Sequence, residues 1–433
     1  MRVPFPYPTS NQSPPMTPDA ELSLTLDIPQ DVTVVSCRLV EGISKLTHAR
    51  LEVATNTHLE LDGVLERDAV IDLAPLGFPP RRWTLRVGHI DFISIEEGSL
   101  RYIVNLFPSF WLLRFTTNTR KFRNMSSQDI ISQVLSECQV DHRFDIVRPT
   151  EKRKYCSQYR ETNLDFIHRL LEFEGIYYYF EQDGTLVFAD DSPNVDAIDG
   201  LSSFELIEAE GALQWDSVGI HAFRKGRRIG AGKATVNDHN WKTPAVSLLK
   251  DASADEDTEL DWYDYMVGYR KPDQGARLAQ HRLEAKRVPT KYVEGSSNIT
   301  SMTPARSFTF GALAGGRFAG EYVAREVEHH YVNRQFKETV TDDFDTEGVN
   351  YRNHFAAIPK AVKFRPPLVT PHPHIAGCHT AMVRGPEGEE IHTDQHGRFR
   401  AQFHWDREAV GTDDDSRWLR PVQETQTGMV LAR

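Results

Sequence analysis

From residue 21 to about residue 115, hydrophobic and polar positions alternate in short runs separated by turn residues. The runs LSLTLDI, VTVVSCRLV and RRWTLRVGHIDFISIEEGSLRYIVNLF are rich in Val, Ile and Phe, with a joint at Glu97-Gly98-Ser99. A period of two in such residues predicts antiparallel strands of a barrel or sandwich, because successive side chains on a strand face opposite sides. The period then changes. In NMSSQDIISQVLSECQV, Ile130, Ile131, Val134, Leu135 and Cys138 recur at helical spacing, and Ser126 with Asp129 forms a capping-box-like start. A second helix is predicted in NLDFIHRLLEFEG, where Thr162 and Asp165 resemble a cap and Leu164, Ile167, Leu170 and Leu171 form one stripe. Gly175 suits the left-handed residue that ends it. Residues 176–181 and 185–189 then read as a hairpin around Gln182-Asp183-Gly184. His168 falls off the apolar stripe and is expected at the surface.

Beyond Leu201, strand-like runs resume in VGIHAFRKGRRIGAGKATV and RSFTFGALAGGRFAGEYVAREVEHHYV, separated by a probable helix, GARLAQHRLEAKR. Gly226, Gly230 and Gly232 lie near Lys225 and Lys233, but no G-x-x-x-x-G-K-[ST] order is present, so basic turns between strands are expected rather than a phosphate cradle. His329 and His330 are neighbours on a strand, hence on opposite faces. The segment FRPPLVTPHPH, residues 364–374, is dense in proline, which holds a chain extended, and reads as a domain joint. His372 and His374 within it lack a third ligand nearby in sequence, and a zinc site needs three or four.

The stretch EEIHTDQHGRFRAQFHWDRE, residues 389–408, sets His392, His396 and His404 among acids. Here Phe399, Ala401, Phe403 and Trp405 alternate with Arg400, Gln402, His404 and Asp406, the pattern of a half-buried strand. Gln395-His396-Gly397 is the turn before it, and Glu390-Ile391-His392 belongs to the preceding strand. His392 then lies opposite Phe399, and His404 is ~16 Å further along at the usual strand rise. Zinc ligands must meet within ~2 Å of one ion. The expectation is a β-hairpin with no metal.

Composition narrows the classes. The 433 residues suggest several domains, and no apolar run reaches the length of a membrane span. The start, MRVPFPYPTSNQSPPMTP, lacks the charged and apolar regions of a Sec signal and reads as a proline-rich leader over 1–20. Cys37, Cys138, Cys156 and Cys378 are scattered singly, which suits a reducing compartment and offers no zinc ribbon. A net charge of −12 opposes nucleic-acid binding, which needs Lys and Arg against phosphates. The run DASADEDTELDWYD, residues 251–264, holds seven acids and no base, and is expected to be a solvated loop, since it lacks the order of a calcium loop.

The segments YCSQYRETNLDFIHRLLEFEGIYYYFEQDGTLVFADD and GPEGEEIHTDQHGRFRAQFHWDRE, with FRPP between them, strongly resemble the VgrG (TssI) family of type VI secretion spikes. DWYDYMVGY, GARLAQHRLEA, EGSSNITSMTPA and GEYVAREVEHHY follow in the family's order, so the likeness runs from about Leu100 to Trp418. Departures are Ala305 for a usual glycine, Cys378-His379 for Pro-Gln, and Arg420-Pro421-Val422-Gln423 interrupting a strand. The resemblance implies an α+β, predominantly β chain. Its parts are a first hub barrel at 21–115, a helix-plus-hairpin insert at 116–200 and a second hub barrel with a helical segment at 201–360. A linker at 361–374 and the start of an oligonucleotide/oligosaccharide-binding (OB) barrel at 375–433, incomplete at its end, complete the layout.

Also implied are a homotrimer capping a tube of Hcp hexamers, baseplate partners, and secretion by the apparatus without a signal peptide after cytoplasmic assembly. A PAAR tip protein and effectors would attach through a needle outside this chain. No catalytic residue, cofactor, metal or nucleic acid is called for. The near alternative is a phage tail hub or late control protein. A more distant one is a cell-wall hydrolase: Glu172 with Glu174, and Asp190 with Asp191, are paired carboxylates, expected on a helix surface and at a hairpin end without an acid/base setting.

Overall fold

The computed structural model of the chain describes residues 20–75, 80–96, 98–207, 218–311, 318–336, 349–386, 388, 392–407, 416–421, 423–425 and 428–430. The expected leader, apart from Ala20, lies outside them. Packing divides the chain into two units. One comprises Met1–Trp111, Leu135–Pro149 and Leu171–Leu368; the other comprises Leu112–Val134, Thr150–Leu170 and Val369–Arg433. The stretch expected to form one insert, 116–200, is therefore shared between them.

The first unit opens with β1 (Ala20–Leu26), β2 (Thr33–Gly42), β3 (His48–Thr55), a short helix α1 (Leu61–Val64), β4 (Asp68–Pro75), β5 (Arg81–Glu96) and β6 (Ser99–Phe107). Alternation dictates their faces: in AELSLTL, Ala20, Leu22, Leu24 and Leu26 are buried while Glu21, Ser23 and Thr25 are exposed. The buried phases of all six strands, among them Leu51, Val53, Ile71 and Val104, meet in one core.

Next come β7 (Thr117–Phe122), β8 (Met125–Ser126), α2 (Ser127–Glu137), β9 (His142–Asp145), β10 (Lys152–Arg153), β11 (Cys156–Thr162), α3 (Asn163–Glu174), β12 (Tyr177–Phe180) and β13 (Leu186–Ala189). Both helix starts follow from their caps. The Asp129 amide donates to Ser126 Oγ at 3.1 Å while the Ser126 amide donates to Asp129 Oδ2 at 3.1 Å. The Asp165 amide donates to Thr162 Oγ1 at 3.0 Å. Gly175 ends α3 at φ +73°, and β12 and β13 form the expected hairpin, extended by β9 running parallel to β13. In the second unit β7 pairs with β11 and β8 with β10.

The first unit continues with β14 (Ser203–Phe204), β15 (Ile220–Arg227), β16 (Lys233–Asn237), β17 (Lys250–Ser253), β18 (Asp261–Tyr265), α4 (Pro272–Arg287), β19 (Lys291–Ser297), β20 (Ser307–Phe310), β21 (Gly320–Val332) and β22 (Tyr351–Pro359). The acidic run read as a loop is here a correction: its ends are β17 and β18, flanking β16 in a small sheet. Alternation of Trp262 and Asp264 with Asp261, Tyr263 and Tyr265 is what lets so acidic a segment pair as a strand. Leu278 and Ala279 of α4 pack with Val236 and Leu248.

β1 to β6 lie in the order β1-β4-β5-β6-β3-β2, and the later set in the order β14-β20-β21-β22-β19-β15. Numbered by chain order within each set, both read first-fourth-fifth-sixth-third-second. The registers agree as well. Val53 opposite Tyr102 corresponds to Ser297 opposite Asn353, and Arg86 opposite Asp68 to Val323 opposite Ser307. The second and third strands slip past a residue between Val34 and Ser36 in one set and between Ile220 and Ala222 in the other. The fifth and sixth slip between Val87 and His89, and between Ala324 and Glu326; β5 slips once more against β6, between Phe92 and Ser94, where β21 and β22 stay in step. One strand differs in direction: β1 is antiparallel to β4, whereas β14 is parallel to β20. The sets join where β2 pairs antiparallel with β21, Leu39 facing His329, to give one 12-stranded sheet.

In the second unit, β23 (Ala381–Arg384), β24 (Phe399–Phe403) and β25 (Arg417–Leu419) form a sheet in that order, and β26 (Gln423–Thr425) pairs with β27 (Gly428–Val430).

Candidate functional site

Polar side chains converge inside the first unit where its two strand sets join. Glu41 of β2 accepts two hydrogen bonds from Arg81 Nη2, at 2.7 and 2.8 Å, and one from Trp83 Nε1 at 3.1 Å. From the other set, His329 Nε2 lies 2.9 Å from Glu41 Oε1, and its Nδ1 lies 2.8 Å from the Tyr351 hydroxyl. A carboxylate only accepts, so Nε2 carries the proton and Nδ1 accepts from Tyr351. The Tyr351 oxygen accepts from Asn353 Nδ2 at 3.0 Å, and Ser297 Oγ lies 2.7 Å from Asn353 Oδ1. All these groups are buried.

Burial raises the Glu41 carboxyl, but the charge of Arg81 and the bonds from His329 and Trp83 outweigh it, holding the group below its ordinary range. Burial also lowers the His329 imidazole, against the pull of Glu41. The network is thus an anion neutralised by one guanidinium and a neutral histidine. Its bonds run between β2 and β5 of the first set and β21 and β22 of the second, so it ties the two strand sets together.

A second node holds the joint segment. Arg365 Nη1 donates to the carbonyls of Gly175 at 2.7 Å and Asp190 at 2.9 Å, while its Nε donates to Glu284 Oε2 at 2.7 Å. The Phe364 amide donates to Ser192 Oγ at 2.6 Å, and its ring packs edge-on to Tyr177. The start of the proline-rich stretch is therefore buried and clamped to the ends of α3 and β13 and to α4, and the first unit ends only at Leu368.

The residues singled out from sequence scatter. His372 and His374 are exposed in the segment after Leu368. His392 packs its ring 5.3 Å from Trp418, while His396 and His404 are exposed. The expected strand from Phe399 to Trp405 stops at Phe403, and Thr393, not His392, is bridged to Phe399. The partners of β24 are β23 and β25, so the local turn is a side branch; Glu390 and Ile391 lie outside the described residues. Asp406 explains the early stop: it is buried and ion-paired with Lys121 of β7, which the alternation would have turned outward. Among the described residues no three His, Cys, Asp or Glu side chains gather at one point.

His168 is half-buried rather than superficial, and burial pushes its imidazole down to about 4. Glu172 and Glu174 are buried, not on the helix surface. Asp190 Oδ1 accepts from the Val147 amide at 2.8 Å and Asp191 Oδ2 from Asn194 Nδ2 at 2.6 Å, fastening their turns. His329 and His330 are both buried; His330 meets His354 edge-on at 5.8 Å. A Cβ on Gly226 would fall 2.3 Å from the Tyr292 ring, and one on Gly232 2.2 Å from the Asp257 backbone, so these glycines admit neighbours rather than a phosphate. Cys37 is buried, its thiol pushed up to about 12.

Glu41, Arg81 and Arg365 were not singled out, though a signal existed for two of them. Glu41 shares the inward phase of Cys37 and Leu39, and Arg81 that of Trp83 and Leu85. A charge in the buried phase of a strand predicts a buried partner.

Residues 40–335 match the family described as phage tail baseplate hub (GPD). The chain is 31% identical to the type VI secretion system spike protein VgrG5 of Pseudomonas aeruginosa over 411 residues, 90% of this chain and 51% of that protein. It thus spans about half the length of the curated relatives it matches. Among solved structures, the E. coli c3393 protein, described as a type VI secretion component similar in structure to T4 tail proteins gp27 and gp5, superposes with a TM-score of 0.67. Identity there is 18%, over 92% of this chain and 93% of that one. The 43 kDa tail protein of prophage MuSo2 from Shewanella oneidensis gives 0.59 at 11% identity, over 80% of this chain and 100% of that one.

Proposed function

Since the chain belongs to the phage tail baseplate hub family and is similar to VgrG spike proteins, we propose that it is the hub portion of a type VI secretion spike. In this reading three copies form a ring that caps a tube of Hcp hexamers, stiffens the tip and leaves the cell with it, carrying effectors.

The observation that carries the reading is the repeated strand order. Two six-stranded sets of one topology per chain give six similar units in a trimer, which can meet a hexameric ring subunit for subunit. The work is then mechanical, without catalysis, cofactor or metal. The paired carboxylates support this, since two are buried in α3 and two fasten turns. Residues 375–433 begin the OB barrel, with β23–β25 as its first sheet. Secretion by the apparatus agrees with the described helices, none of which is long and apolar enough to cross a membrane.

The test is light scattering coupled to size exclusion, followed by co-purification with a type VI tube protein. A trimer that retains the tube protein supports the reading. A chain that stays monomeric at high concentration overturns it. The phage tail hub shares the fold and is distinguished in the same experiment, by binding a phage tube protein in preference to Hcp.

A further inference from the structure

The insertion between the second and third strands of the second set, β16–β18 with α4, has two faces of unlike character. The face turned to α4 is filled: Val236, Leu248, Tyr269, Leu278 and Ala279 make one buried cluster. The register places Lys233, Thr235 and Asn237 of β16 on the other face, beside Asp261, Tyr263 and Tyr265 of β18. Asp251 of β17 stands opposite Thr235 from the far side. Tyr263 and Tyr265 are 56% and 54% exposed, and Leu249, in phase with Asp251, is 51% exposed. Leu260 and Met266, which bracket β18, are exposed as well. A solvated acidic run is ordinary. Large apolar side chains displayed together on it mark a surface that meets something.

The same strand has an open edge. β18 pairs parallel with β16, and among the described residues no strand lies on its other side. The Lys233 amide donates to the Leu260 carbonyl at 3.2 Å, and the Met266 amide donates to the Asn237 carbonyl at 3.1 Å. Alternate residues of a strand bond to one neighbour, so Leu260, Trp262, Asp264 and Met266 bond through their backbone to β16. Asp261, Tyr263 and Tyr265 therefore turn their amides and carbonyls to the open edge and their side chains to the exposed face.

We propose that this edge and face form a docking site for an extended basic segment of another protein, added as a further strand beside β18. Charge decides the occupant. Among the acids of 251–264, Glu256 is tied to Arg227 and Arg287, and Asp257 to Arg287. Asp251, Asp255, Glu259 and Asp261 are exposed. Lys233 is the base on this face, 3.6 Å from Asp261. An incoming strand lays alternate side chains beside Asp261, Tyr263 and Tyr265. Arg or Lys at those places meets carboxylates and rests its stem and charge on the tyrosine rings. Two copies of this chain pairing edge to edge through β18 would instead set these acids against one another. The site lies within one insertion of one chain, so it stands independently of the hub reading.

The test is fluorescence anisotropy with the full chain and a labelled nonapeptide that alternates arginine and valine. The same peptide N-methylated throughout keeps its charge but loses its amide donors, and should bind at least tenfold more weakly. Tyr263→Ser with Tyr265→Ser, and separately Asp251→Lys with Glu259→Lys, should each weaken binding of the parent peptide at least tenfold, with the circular dichroism spectrum unchanged. Asp31→Lys with Glu60→Lys makes the same change of net charge at exposed acids of the first strand set and should alter binding less than twofold. If the N-methylated peptide binds as well as its parent, or the remote pair weakens binding as much as the pair on the insertion, the attraction is to net charge and the docking site is refuted. Tyrosine changes that lower the mass of the chain by light scattering and leave peptide affinity unaltered would give the face to a second copy and refute it equally.

Discussion

The two strand sets of the first unit share strand order and two of their register slips, with one further slip, between Phe92 and Ser94, in the first set alone, yet they differ in most of the residues that occupy equivalent places. Where the first set seats Val53 opposite Tyr102, the second seats Ser297 opposite Asn353, all fully buried. The first set closes with a long β1; the second carries between its second and third strands an insertion of β16–β18 and α4. The lesson is that the backbone arrangement is the repeated unit, and that apolar packing in one copy is replaced by a hydrogen-bonded pair in the other. Where the sets meet, an ion network centred on Glu41 welds them; at the opposite ends an apolar and a basic edge remain exposed.

The largest expected effect comes from breaking the inner joint. Glu41→Ala leaves Arg81 buried without its anion and should cost about 3–5 kcal/mol, read as a lower denaturant midpoint. Acid should act in the same direction. His329 is lowered by burial, His168 to about 4 and His281 to about 3, so the unfolded chain takes up more protons below its ordinary histidine pKa of about 6.5. Glu41, held below its ordinary range, contributes stability that is full above the unfolded carboxyl pKa and lost as pH falls through the folded one. Both signs agree: the thermal midpoint should fall steadily from about pH 6.5 downward and be flat just above it. A midpoint that rises on acidification would refute the neutral assignment of His329.

Next, equivalent core positions should differ in kind. Tyr102→Ala empties an aromatic site and should cost about 3–4 kcal/mol. Ser297→Ala should cost about 1–3 kcal/mol by leaving Asn353 Oδ1 short of a donor. Equal costs in urea titrations would mean that the polar pair is not the energetic counterpart of the apolar one.

The equivalent bulges offer a finer test. A Cβ on Gly88 would lie 2.6 Å from the Phe107 ring, so Gly88→Ala should cost about 1–3 kcal/mol. Arg325, half-buried at the corresponding slip, should tolerate alanine within about 0.5 kcal/mol. The smallest effect belongs to the histidines that first drew attention. Replacing His392, His396 and His404 together by Asn should leave metal content by elemental analysis and the thermal midpoint unchanged. Stoichiometric zinc lost with that change would reverse the account of the 389–408 stretch.

Much of the local structure is a matter of local chemistry, and the sequence alone carried it. The alternation of β1 to β6, the reciprocal Ser126–Asp129 cap, the stripe of α3 ending at Gly175, and the hairpin around Asp183-Gly184 each depend on residues within a few positions of one another. The period of side-chain directions expresses them directly. The resemblance in ordered segments named the family for the same reason, since those segments are contiguous.

What only the tertiary structure decided involves partners far apart in the chain. Glu41 meets His329, Arg365 meets Gly175, and Asp406 meets Lys121; no local pattern states which distant group answers a buried charge. The acidic run became strands because β16 offered both its edges, and Glu172 and Glu174 became buried because neighbouring elements pack over α3. The equivalence of the two strand sets was likewise invisible in the residues. Strand order and register are set by backbone hydrogen bonds, which every residue but proline can make, so two sequences without visible likeness can close the same ladder.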